Sequence, residues 1–334
     1  METPREILEL VERFRKRDRH ALSRLLSLTA RGEHLDVVRR LVQEHPAQAR
    51  KDGQHPERVA PVVAVTGSPG VGKSTLVGRL IEALRQEGRS VAVLACDPQS
   101  PLTGGALLGD RLRMPSRPDD EQVFIRSLAT PGGRGAIPEH IDLMVGLLKG
   151  FGFEWVILET VGAGQGETAV HHVADVVVLL VQPEAGDDIQ WEKAGLLEVA
   201  DVIVVHKADL PGADRTEAQI RAMLNLPGLS GPREVPVLRV SSARQEGIQE
   251  LLRVLEERVR QPRGLRVSAK SRLRALVQDR IQQAIESMGS RAEELAQQWQ
   301  EGGLSDDQVL REVLAAAEKS LSAPFAARPD ESAR

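Results

Sequence analysis

The chain has 334 residues, room at roughly 150 per domain for about two domains or one large domain with attachments. Hydrophobic residues make up 41% and charged residues 28%, which suits a soluble globular protein and excludes a disordered one. A formal net charge of -4 gives no whole-chain attraction to nucleic acid or an anionic membrane, and 2% aromatics with no tyrosine leave little for base stacking. Residues 1–58 read as a helical extension. Ile7, Leu10, Val11 and Phe14 fall at helical spacing, and further runs follow from Ala21 to Leu28 and from Leu35 to Val42. Gly53, Pro56 and Pro61 mark a connection.

Over residues 59–261 the pattern changes. Short apolar runs recur at Val62 to Val65, Val91 to Ala95, Val123 to Ile125, Trp155 to Leu158, Val176 to Val181, Val202 to Val205, and Val237 to Val240. Stretches of helical length separate most of them. This alternation predicts an α/β fold with a mostly parallel sheet flanked by helices. Residues 262–334 form a third, helical segment. Leu273, Leu276, Ile281, Ala284, Ile285, Met288, Leu295 and Trp299 make one long stripe, interrupted at Gly302 and Gly303. Ser305 and Gln308 then have capping-box spacing ahead of a last helix. The stripe has no partner in its own sequence neighbourhood, so it docks on the sheet or on a second copy of the chain.

The segment from Met1 to His20 is charged throughout and lacks the apolar core of a secretory signal. No run approaches the ~20 apolar residues of a spanning helix. The default expectation is a cytoplasmic protein. Cys96 is the only cysteine, which excludes an internal disulfide framework or a cysteine-cluster zinc site.

Gly67-Ser68-Pro69-Gly70-Val71-Gly72-Lys73-Ser74 fits G-x-x-x-x-G-K-[ST] in full, after a strand and before a helix. Glycines let successive N–H groups turn toward phosphate oxygens, and the helix N-terminus adds positive potential. Lys73 can reach the β- and γ-phosphates, and Ser74 can offer its hydroxyl to Mg²⁺. Thr75 is counted with this cradle. His206-Lys207-Ala208-Asp209 follows a buried strand and is similar to the guanine-reading N-K-x-D. A carboxylate at Asp209 can accept from guanine N1–H and the 2-amino group, which adenine cannot supply, and Lys207 can lay its stem along the base. Ser241-Ser242-Ala243 resembles the loop that closes over guanine O6. Glu159-Thr160-Val161-Gly162 stands where a D-x-x-G would, with Glu for Asp; the carboxylate suits Mg²⁺ and the Gly162 amide suits a γ-phosphate.

Further motifs follow in order: Cys96-Asp97-Pro98-Gln99-Ser100-Pro101, Thr103-Gly104-Gly105, Gly109-Asp110-Arg111 and Gly186-Asp187-Asp188-Ile189-Gln190. Together with the segments above, they resemble the methylmalonyl-CoA mutase-associated GTPases over residues 20–260. The resemblance implies a P-loop fold, GTP and GDP as ligands with Mg²⁺, and a homodimer joined through its C-terminal helices. It implies a GTP-hydrolysing chaperone that gates cofactor loading of an adenosylcobalamin-dependent acyl-CoA mutase and protects it. Carried over by position, Lys73 is the phosphate lysine, Ser74, Asp97, Asp110 and Glu159 are the metal residues, and Gly162 opens the second switch. Gln182, Asp187, Asp188, Gln190 and Lys193 fall in a third, partner-sensing switch. Asp97 is also open to a role as a turn cap, Asp110 to a surface ion pair with Arg111, and Asp187 and Asp188 to helix capping.

The family normally has Asn where this chain has His206, a change expected to weaken affinity or selectivity for GTP while Asp209 keeps the preference. Pro183-Glu184-Ala185-Gly186 also carries one glycine fewer than the family's third switch, which stiffens the loop. Three alternatives are a nickel-insertion GTPase, a kinase acting on transport components and a non-hydrolysing dimeric scaffold. Eight scattered histidines and one cysteine argue against the first.

Overall fold

A computed structural model describes residues 5–45, 60–98, 120–130, 138–160, 170, 173–183, 197, 200–225, 234–260, 277, 281, 284, 285 and 288–322. Contacts divide the chain into a unit of residues 1–266 and a unit of residues 267–334.

The first unit begins with α1 (Arg5–Arg15), α2 (Arg19–Ala30) and α3 (Leu35–Glu44). Then follow β1 (Val62–Gly67), α4 (Lys73–Gln86), β2 (Val91–Pro98), β3 (Val123–Thr130), α5 (Ile141–Phe151), β4 (Trp155–Glu159) and β5 (Val176–Val181). β6 (Val202–His206), α6 (Ala213–Leu224), β7 (Val237–Val240) and α7 (Ile248–Arg260) complete it. Each of the seven apolar runs in the sequence is a strand. They pair in parallel in the order β3-β2-β4-β1-β5-β6-β7.

Alternating side chains of these strands enter opposite faces. On one face Val62, Ala64, Ala92, Leu94, Val156 and Leu158 join α1, α2, α3 and α5 in one cluster. On the other, Val63, Val65, Val93, Ile157, Val178 and Leu180 pack against α4 and α7. Beyond β5, α6 covers Leu179, Val181, Ile203 and Val205. Strands covered on both faces have no need of polar residues, which explains the uninterrupted burial of β1, β4, β5 and β6.

Polar ties fix the N-terminal helices to the sheet edge. Arg19 on α2 donates to the carbonyls of Glu121 and Val123, and Arg126 on β3 donates to the hydroxyls of Ser23 and Ser27. Asp18 caps α2 by accepting from the amides of His20 and Ala21.

In the second unit, α8 (Ser290–Gln300) and α9 (Asp306–Ser322) are joined by a short turn. The stripe expected to run unbroken through Met288 and Leu295 is interrupted before α8. Met288 and Gly289 form a turn, and Gly289 has φ 54° and ψ -130°, a backbone state that side-chain-bearing residues avoid. The capping box is present: the Ser305 amide donates to Gln308 Oε1 at 2.8 Å, and the Gln308 amide to Ser305 Oγ at 3.4 Å. Among the described residues, no helix is long and apolar enough to cross a membrane.

Candidate nucleotide site

The candidate residues gather at the carboxyl ends of the strands, where parallel sheets place their ligands. β1 runs into the loop of residues 67–72, and α4 starts at Lys73. Gly67 ends β1 so close to β5 that a Cβ there would lie 2.5 Å from the Leu180 carbonyl oxygen. Gly72 is the N-cap of α4 with φ 100°, and no side chain caps its first amides. Those amides and the helix dipole are directed at whatever anion enters the loop. The Lys73 ammonium folds back and donates to the carbonyls of Gly67 at 2.8 Å and Ser68 at 3.3 Å. It thus sits against the carbonyls at the start of the loop. Thr75, by contrast, is exposed on the first turn of α4.

Ser74 meets the end of β4. Its hydroxyl donates to Glu159 Oε1 at 2.6 Å, and both residues are buried. Behind them, the Thr160 hydroxyl donates to Thr66 Oγ1 and the Thr160 amide to the Val65 carbonyl, which fixes the end of β4 against β1.

β6 and β7 supply the other side. His206 closes β6 with its ring 2% exposed, between Val71 of the loop and Ser242 beyond β7. Burial pushes its pKa below the ordinary histidine value, against the upward pull of the Val71 carbonyl. Lys207 takes a left-handed conformation, φ 55°, and its ammonium donates to the Gly70 carbonyl and to Gln182 Oε1, each at 2.9 Å. Asp209 accepts from the Ser241 hydroxyl at 2.5 Å, and that hydrogen bond holds its carboxyl below the usual carboxylate range. Arg79 of α4 donates to the Ser242 carbonyl at 3.0 Å, so the loop after β7 is anchored to the helix that starts the site. Ala243 follows it, exposed.

Lys73, Ser74, Glu159, His206, Lys207, Asp209, Ser241 and Ser242 are therefore brought into one neighbourhood. Gln182, which the resemblance places in a partner-sensing switch, has its carboxamide bonded to Lys207. Residue spacing does not reveal this contact, since the two lie at the ends of different strands. Nor did spacing reveal Arg79. Asp110, Gly162, Asp187, Asp188, Gln190 and Lys193 lie outside the described residues, as does the side chain of Asp97, whose backbone pairs with Ala129 at the end of β2. Among the described residues, no three His, Cys, Asp or Glu side chains form a cluster able to hold a metal.

The profile described as "Methylmalonyl Co-A mutase-associated GTPase MeaB" matches residues 56–294. The chain belongs to this family. Its GTPase activity and its binding of GTP and GDP follow from membership and from the P-loop in place. A putative GTPase of Pyrococcus abyssi is 40% identical over 255 residues, 75% of each chain. A mouse protein named as the mitochondrial methylmalonic aciduria type A homolog is 37% identical over 201 residues, 58% of this chain and 48% of its own. A fused isobutyryl-CoA mutase of Nocardia farcinica is 40% identical over 209 residues, 60% of this chain and 19% of the fusion. In fold, the chain is similar to the crystal structure of a LAO/AO transport system kinase, with a TM-score of 0.61 at 22% identity over 95% of this chain and 99% of the other.

Proposed function

We propose that this MeaB-family GTPase is a chaperone of an adenosylcobalamin-dependent acyl-CoA mutase, gating cofactor loading and protecting the loaded enzyme. One observation carries the partner assignment. In the Nocardia farcinica protein, a segment matching this chain is part of one polypeptide with an isobutyryl-CoA mutase. Fusion holds two activities at high effective concentration, which is of use when they act on each other.

The chemistry is assigned to the residues at the strand ends. The amides of residues 67–74 cradle the β- and γ-phosphates, and Lys73 exchanges its two loop carbonyls for phosphate oxygens. Ser74 and Glu159 offer a hydroxyl and a carboxylate side by side, a hard-oxygen donor set that fits Mg²⁺. Asp97 and Asp110 complete that set in this reading. A Mg²⁺ held there would neutralise charge on the β- and γ-oxygens. Gly162 is assigned to the γ-phosphate in the same reading. Asp209, kept ionised by Ser241, accepts from guanine N1–H and the 2-amino group. Lys207 lies along the base, and residues 241–243 face O6. Gln182, Asp187, Asp188, Gln190 and Lys193 carry the partner signal, with Gln182 in direct contact with Lys207. The C-terminal helices join two copies into a homodimer.

Phosphoryl transfer to water requires mainly positioning and charge stabilisation. Turnover in isolation is accordingly slow and rises when the mutase orders the switches. The test is the GTP hydrolysis rate of the full chain with and without a cognate adenosylcobalamin mutase. A several-fold rise supports the assignment, and an unchanged rate overturns the coupling.

A further inference from the structure

The residue at the end of β6 is an imidazole at the position that corresponds to the Asn of N-K-x-D, and its surroundings limit what it can do. Nδ1 lies 2.7 Å from the Val71 carbonyl oxygen, which only accepts, so Nδ1 carries the proton. Nε2 is then the acceptor, and it lies 2.7 Å from the Ser242 hydroxyl, which donates to it. A neutral imidazole has one donor and one acceptor, and both are used. The ring's edge is closed as well: a Cβ on Gly72 would fall 2.5 Å from Cε1 and 2.6 Å from Nδ1, so the loop backbone lies directly on the ring. With the residue 2% exposed, neither ring nitrogen of His206 remains for a ligand. Asn has a separate carbonyl and two amide hydrogens, enough to hold a loop and also meet a purine.

We infer that His206 is a positioning residue that clamps the P-loop at Val71 to the loop at Ser242, and that it does not read the purine edge. Choice of base then rests on Asp209, with Lys207 along the ring, and guanine N7 is not recognised from this position. The inference rests on the nucleotide site proposed above.

The test compares GTP with 7-deaza-GTP, which lacks only the N7 acceptor, by calorimetric titration of the full chain with Mg²⁺. Wild type is expected to bind the two within about twofold of each other. His206→Ala weakens both by the same factor, about tenfold, the scale of one or two lost hydrogen bonds. His206→Asn, which can still donate to Val71, recovers most of the loss and introduces a preference for GTP over 7-deaza-GTP. Should His206→Ala fail to fold, Ser242→Ala removes the other end of the clamp and is expected to weaken both nucleotides equally. A wild-type preference for GTP of fivefold or more that disappears in His206→Ala, or that Ser242→Ala abolishes while leaving 7-deaza-GTP binding unchanged, would overturn the inference. Binding of neither nucleotide by wild type would overturn the site itself, an outcome distinct from a shifted ratio.

Discussion

Gly72 and His206 are locked to each other, and a single methyl group tests the lock. Gly72→Ala puts a Cβ 2.5 Å from His206 Cε1, about 1 Å inside ordinary carbon contact. The ring cannot step aside without giving up Val71 or Ser242. Overpacking of this kind costs about 1–3 kcal/mol. The backbone adds about 1–2 kcal/mol, because φ is 100° and alanine resists positive φ. The sum is about 2–5 kcal/mol. Removing the ring separates the two parts: in Gly72→Ala/His206→Ala the steric part vanishes and the backbone part stays. A double-mutant cycle from urea unfolding, followed by far-UV circular dichroism, should therefore give a coupling of about 1–3 kcal/mol. Additive losses would refute the placement of the imidazole on Gly72.

Glu159→Gln keeps the shape beside Ser74 but removes the charge, and should raise the Mg²⁺ needed for half-maximal GTP hydrolysis by about 10- to 100-fold; an unchanged requirement would remove Glu159 from the metal site. Asp209→Asn replaces two acceptor oxygens by one donor and one acceptor, so binding should move from GTP toward XTP, whose C2 carbonyl takes the new donor; unaltered GTP binding in a competition titration would contradict it. Stability should also fall with acid through His206. Its folded pKa lies below the unfolded value of about 6.5, so no cost exists above that pH. Below it the unfolded chain binds a proton that the folded chain resists, and stability declines until the folded pKa is reached. His206→Asn should flatten this decline between pH 7 and 5, as read from urea midpoints; equal slopes would show that His206 is not the titrating group.

The central strands were legible because buried parallel strands must be apolar at nearly every position, as β1, β4, β5 and β6 are, whereas the edge strands β3 and β7 carry Arg126 and Arg239 and were legible only from their shorter apolar runs. The P-loop was legible for a related reason: the approach of β1 to Leu180 and the positive φ at Gly72 leave room for glycine alone. Helix breaks were harder to read. Apolar spacing carries through Met288 into Leu295, yet the turn at Gly289 depends on one backbone angle that periodicity does not report. Contacts between strand ends were not legible at all. That Lys207 reaches Gln182, that Arg79 holds Ser242, and that both His206 nitrogens are occupied by protein follow from strand order, which places residues far apart in the chain side by side. Spacing places His206 at the Asn position of N-K-x-D, but it does not report that both ring nitrogens are bonded to the protein.

Lys73 is proposed above as the residue through which the loop meets the phosphates, and its removal gives the most direct check. Single-turnover hydrolysis of GTP by the full chain, with and without Mg²⁺ and with ATP as the competitor substrate, should yield GDP and phosphate only when the cation is present. The same assay on Lys73→Ala should show a loss of about 100-fold or more, the scale expected when a fixed charge on the transferring group is removed. Hydrolysis that survives this substitution, or that proceeds faster with ATP, would contradict the account.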